Sequence, residues 1–228
     1  MIGFFYELDE QAGIGQHIIT FKREVAERNS NTQFIKRLLA LALCLSCYTT
    51  QLICFTWHGL LLYFTNWTLN VTTLFVLGSI FCSMDSNLDK SQWKLAITHL
   101  LFEAGLFMNI IVVIVYWGFL HKDGIGNFKG LEVVHMWMVH ILPAISFSIN
   151  HLTTDIVIYD DHAKGLCSVG IIYSVVNAYH TITTGVPLYA FLTWTDYKSP
   201  LICALIMIAF LLVFGSVAKV TRMMKPWM

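Results

Sequence analysis

The sequence predicts an all-α polytopic transmembrane helix bundle of about six spans, with both termini on the same, cytosolic side. Three observations carry that expectation. Five runs of apolar residues, each about twenty long or longer and almost free of Lys and Arg, fill residues 38–218, with a sixth among them; a bilayer core of roughly 30 Å needs about twenty residues of helix to cross it. The 228-residue chain is 57% hydrophobic and only 12% charged, where soluble domains run near 25% charged. Lys and Arg are also unevenly placed. With six spans, Lys22, Arg23, Arg28, Lys36, Arg37, Lys90, Lys94, Lys164, Lys219, Arg222 and Lys225 share a side with the termini, and only Lys122, Lys129 and Lys198 face the other way. Cytosolic loops carry such an excess.

Residues 1–33 form a polar, amphipathic segment without the apolar core of a cleavable signal, so targeting falls to the first span as an uncleaved anchor. Within it, 18–28 sets Ile18, Phe21 and Val25 at helical spacing, which suits an interfacial helix. The six-helix transmembrane domain covers 34–220, and a short basic tail follows at 221–228. The first span, 38–61, begins after Lys36 and Arg37. Its Cys44, Cys47, Gln51, Cys54 and His58 lie on one helical face. Cys44 and Cys47 have CxxC spacing, but inside a span they read as small packing residues. The second span runs 63–83; whether it is separate from the first or one long bent element stays open. Thr65, Thr68, Thr72 and Ser79 share a face there, with Asn66 and Asn70 beside them.

A polar link, 84–94, leads to the third span, 95–120, where His99 and Glu103 sit four residues apart and can meet on one surface. After the Gly-rich loop 121–130, the fourth span covers 131–153. It carries two polar sets, His135 with Ser146, and His140 with His151 and Asp155. Asp155, Asp160 and Asp161 make the next loop acidic. On the fifth span, 165–189, Tyr173, Asn177, His180 and Thr184 line up, and Pro187 marks its end. The sixth, 200–218, opens on Pro200, a favoured helix-start residue. It is nearly uniform in Leu, Ile, Val and Phe and is expected to face lipid.

Net charge is zero, so nothing argues for nucleic acid. Polar side chains in lipid are costly, and five helices with polar stripes imply that the stripes converge. The expectation is a buried polar cavity lined by His99, Glu103, Asn177 and His180; the plainer reading is a set of interhelical hydrogen bonds, each worth on the order of 0.6 kcal/mol. No cofactor or metal is expected, because HxxH and HExxH spacings are absent and His135 and His140 diverge by about 140° around the helix. A haem held between His99 and His180 is the alternative. The sequons at Asn66 and Asn70 fall at the membrane boundary, where a glycan has no room.

The stretch Tyr63-Phe-Thr-Asn-Trp-Thr-Leu-Asn70 resembles the start of the second span in the rolling stone family and in the related androgen-induced family of fatty-acid-ester hydrolases. Val115-Tyr116-Trp117, His135 with Ile141-Leu142-Pro143, Tyr179 through Gly185, and Leu188 through Trp194 also fit, in the same order, over about residues 40–218. The androgen-induced branch implies a membrane-embedded threonine hydrolase of fatty acid esters of hydroxy fatty acids, with a Thr nucleophile and a His base. Thr65 matches the family's Thr. Aligned on Ile141-Leu142-Pro143, the family's catalytic His position holds Met138, so the base falls to His135 or His140. The rolling stone branch implies instead a role in membrane fusion.

Two functions are therefore expected to compete. One is an intramembrane lipid-ester hydrolase using Thr65 with His135 or His140. The other is a non-enzymatic fusion factor or accessory subunit of a larger membrane complex. A channel or transporter is weaker, since neither an inverted repeat nor a broken-helix pair is visible. The expected partners are membrane lipids and partner subunits. The endoplasmic reticulum or plasma membrane fits ahead of the mitochondrial inner membrane.

Overall fold

A computed structural model describes residues 31–84, 92–151, 158 and 162–224. The interfacial segment 18–28, the loop residues Asp155, Asp160 and Asp161, and residues 225–228 lie outside the described residues. Every regular element among the described residues is helical. Six helices are long and apolar enough to cross a membrane, as expected of a multi-pass membrane protein. They are α1 (Asn31–Cys54), α3 (Phe64–Met84), α4 (Gln92–Val115, continued by a π turn Tyr116–Leu120), α6 (Leu131–His151), α7 (His162–Thr184) and α8 (Lys198–Met224). Two single turns, α2 (Gly59–Leu62) and α5 (His121–Gly124), sit in the links.

The first two spans are separate. α1 stops at Cys54, and Tyr63 is extended just before α3 begins. α1 also starts seven residues before its apolar run, because Lys36 and Arg37 are accommodated in its first turns, Arg37 only 5% exposed. α7 ends five residues before the expected 189. Gly185, at φ +71°, donates its N–H to the Thr181 carbonyl and closes the helix in the left-handed conformation that glycine adopts without penalty. At the head of α8, Asp196 Oδ1 accepts from the Lys198 N–H at 2.9 Å, and Pro200 follows in the first turn.

The tightest packing joins α1 to α6 and α3 to α4. Gly78 lets α3 approach α4 so closely that a Cβ there would lie 2.7 Å from Thr98 Oγ1, the small-residue contact that membrane helices use where no hydrophobic force draws them together. Three phenylalanines then lock α3, α4 and α6: Phe75, Phe102 and Phe147, with ring centroids 5.2–5.5 Å apart. Polar stripes are answered across helices. Asn109 Nδ2 donates to Thr72 Oγ1 at 2.9 Å, Asn150 Nδ2 to Ser79 Oγ at 3.0 Å, and the Ser146 hydroxyl to the Ala40 carbonyl at 2.7 Å. The outer pair is held far less. Only 17% of the apolar stretch of α7 and 11% of that of α8 is buried, against 50% for α3.

Candidate active site

The site begins at the head of α3. Helix starts leave backbone N–H groups without partners, and here the Phe64 N–H donates to the Tyr189 hydroxyl at 3.0 Å. The Tyr173 hydroxyl donates to the Leu62 carbonyl at 3.1 Å, and its ring meets that of Phe64 edge-on at 4.9 Å. These contacts hold Thr65, 8% exposed, at the inner mouth of a pocket.

His140 approaches from α6. Its Nδ1 lies 2.6 Å from the Met136 carbonyl one turn earlier, and its Nε2 lies 3.2 Å from Thr65 Oγ1. A carbonyl only accepts, so Nδ1 carries the proton and Nε2 presents its lone pair to the threonine hydroxyl. The Tyr116 ring stacks on the imidazole with centroids 3.4 Å apart and planes 10° from parallel. Tyr116 opens the π turn of α4, where the His121 N–H reaches back five residues to the Tyr116 carbonyl. That turn accommodates an extra residue. The imidazole is thus fixed at one nitrogen and one face.

The pocket beside this pair has a volume of about 130 Å³ and is lined by Thr65, Tyr116, His140, Tyr173 and Tyr189 among apolar side chains such as Met108, Val112 and Phe210. It lies between α4, α7 and α8, roofed by Phe191 and Leu192 of the 185–197 link. Tyr189 is in that link, and burial pushes its phenol pKa up, so it stays a neutral donor. Trp194 secures the link in a backbone conformation rare for a bulky residue, φ +57°, through two hydrogen bonds: its N–H to Ser199 Oγ at 2.8 Å and its indole N–H to Asn177 Oδ1 at 2.7 Å.

The other expected site residues lie elsewhere. His135, 2% exposed, points to the opposite side of α6 and shares a 2.8 Å hydrogen bond between its Nδ1 and Thr50 Oγ1 of α1. The 140° divergence from His140 is realised, and only His140 reaches Thr65. Asn177 is fully buried but holds Trp194 rather than lining the pocket. His180 is half-buried and outside the lining. His99 and Glu103 are not at the pocket either: Glu103 is thirteen residues before Tyr116 on one rod, about 20 Å away along the axis at 1.5 Å per residue. They join His162, at the start of α7, instead. Among the described residues the polar stripes therefore do not all converge on the pocket beside Thr65; they divide by depth. The two sequon amides are engaged internally, Asn66 Nδ2 donating to the Gly59 carbonyl and Asn70 Nδ2 to the Leu60 carbonyl.

Sequence reasoning missed Tyr116, Tyr189 and His162. Tyr116 stood at the end of a span where aromatic residues are ordinary. Tyr189 was assigned to a helix that ends before it. His162 sat in what read as an acidic loop. Comparison of the chain with family models, with curated proteins and with solved structures returned no match.

Proposed function

We propose that this chain is an intramembrane hydrolase of long-chain fatty acyl esters, with Thr65 as nucleophile and His140 as its base. The single observation behind this reading is the 3.2 Å approach of His140 Nε2 to Thr65 Oγ1 at the edge of an apolar pocket. A threonine hydroxyl is a poor nucleophile until a neighbour takes its proton. In the proposed reaction Thr65 Oγ1 attacks the ester carbonyl carbon and its proton passes to His140 Nε2. The tetrahedral oxyanion collapses, the carbon–oxygen bond to the alcohol breaks, and His140 returns the proton to the departing alkoxide. Water then attacks the acyl-threonine carbonyl, giving its proton to His140; the bond from the acyl carbon to Thr65 Oγ1 breaks, His140 returns the proton to Oγ1, and the acid and the Thr65 hydroxyl are freed. Tyr189, neighbouring Thr65 and held neutral, supplies a donor to the oxyanion. The apolar lining suits an acyl chain.

The resemblance to the androgen-induced hydrolases agrees with this chemistry, with His140 filling the role of the base from two residues beyond Met138. The uneven Lys and Arg distribution supports cytosolic termini, in the endoplasmic reticulum or the plasma membrane. Full-length protein in mild detergent should react covalently with a fluorophosphonate probe, and Thr65→Ala should abolish that reaction. A well-folded protein that takes up no probe removes the reading.

One observation favours the second reading, an accessory subunit or fusion factor. α8 exposes Leu201, Leu205, Ile208 and Leu212 along one side, each at least half uncovered, a surface that a partner's helix can occupy as readily as lipid. Stoichiometric co-purification of a second membrane protein, lost when this side is substituted, would support it.

A further inference from the structure

We propose that His99, Glu103 and His162 form a binding site for a divalent transition metal of the zinc class, bridging α4 to the first turn of α7. Glu103 is completely buried, and each of its oxygens faces a different imidazole. His99 Nε2 stands 3.2 Å from Oε1, and His162 Nδ1 stands 2.5 Å from Oε2. The two rings are 5.8 Å apart and nearly perpendicular, 80° between planes. One donor atom from each of the three residues lies within 4.8 Å of the others. A four-coordinate zinc with bonds of roughly 2.0–2.2 Å separates its ligand atoms by about 3.3–3.6 Å, so small side-chain rotations bring these three onto one ion.

The donor set selects the metal. Two imidazoles and one carboxylate suit zinc and its neighbours, whereas calcium and magnesium require mainly oxygen. Two His and one Glu is a three-ligand set that leaves a fourth position for water. On binding, each imidazole turns a lone pair to the metal and carries its proton on the other ring nitrogen. Neither imidazole is fully enclosed: His99 is 15% and His162 21% exposed.

The site has a mechanical consequence. α7 is sparsely packed against the bundle, and a shared ion would tie its first turn to α4. About 20 Å of helix separates Glu103 from Tyr116, so the metal site does not rest on the hydrolase reading and survives its failure.

Cobalt and zinc themselves are the probes. Full-length protein in detergent, stripped with a chelator and dialysed against Co2+, should retain one equivalent with the visible absorption of four-coordinate cobalt, and Zn2+ should displace it. Zn2+ should also raise the Tm. Glu103→Gln and the double variant His99→Gln/His162→Gln should lose both the retained metal and the Tm shift, while His58→Gln, an exposed histidine outside the cluster, should keep both. Because Glu103→Gln can perturb folding, His162→Gln alone serves as a second test, its helicity and monodispersity checked by circular dichroism and gel filtration. Folded wild-type protein that retains no stoichiometric cobalt overturns the proposal. So does full retention by the folded His99→Gln/His162→Gln variant.

Discussion

Two histidine centres sit near opposite ends of α4 and differ in what the imidazole meets. At one end His140 faces a neutral hydroxyl across 3.2 Å, with open space beside it. At the other, His99 and His162 close on a carboxylate that is wholly buried. A ring nitrogen facing a hydroxyl can accept and return a proton without burying a charge permanently. Nitrogens facing a carboxylate are held in place by it, and suit a lasting cation better than a transient proton. On the two proposals made above, the same residue type would serve chemistry in one place and cohesion in the other, and the partner atom would decide which.

The largest expected effect breaks the comparison at the pocket. Thr65→Ala should abolish fluorophosphonate labelling, and His140→Gln should slow it by about 10²–10⁴-fold, the usual worth of a general base. His135→Gln should leave the labelling rate close to wild type, since His135 hydrogen-bonds Thr50 and packs on Phe55 rather than reaching Thr65. Equal losses from His135 and His140 would erase the distinction drawn between them.

The order should reverse when stability is read instead. Glu103→Ala removes the wholly buried carboxylate that both imidazoles meet and should cost about 3–5 kcal/mol, the range for removing one partner of a buried pair. Thr65→Ala should cost only about 1 kcal/mol, a single hydrogen bond. Denaturant titration in detergent followed by circular dichroism compares them directly.

Gly78→Val sharpens the contrast between inner and outer helices. The added side chain meets Thr98 at van der Waals overlap and should destabilise the bundle by about 1–3 kcal/mol. The smallest change is expected from Asn177→Ala. Losing the Trp194 indole bond should cost about 0.6 kcal/mol, a typical interhelical polar contact, and expose the 185–197 link to limited proteolysis sooner than in wild type.

The spans themselves were legible because lipid imposes a length and a composition that no soluble helix needs. Their ends were less so. α1 begins before its apolar run, since a helix can carry Lys36 and Arg37 at its margin. α7 stops early because Gly185 ends it, and the aromatic residues that follow kept the apolar pattern running in a segment that is no longer helical. Of the candidate site, Thr65 entered through the resemblance at the head of the second span and His140 as one of two histidines on diverging faces; the structure brings these two side chains together. Choosing between the two histidines needed the rotation of α6 about its own axis, which hydrophobic periodicity leaves undetermined when both faces touch protein. His162 was hidden because a carboxylate's partner on another helix has no sequence spacing to reveal it. The stripes were read as convergent since a projection down the helices shows direction but discards depth.

The unequal grip on the last two helices has a consequence for heating. Segments with little buried surface open at lower free energy than the rest of a fold, and the all-or-none approximation then fails. α7 and α8 should detach while α1, α3, α4 and α6 remain assembled, so thermal melting in detergent should show two stages, with the earlier one shifting with detergent chain length because it exchanges protein contacts for micelle.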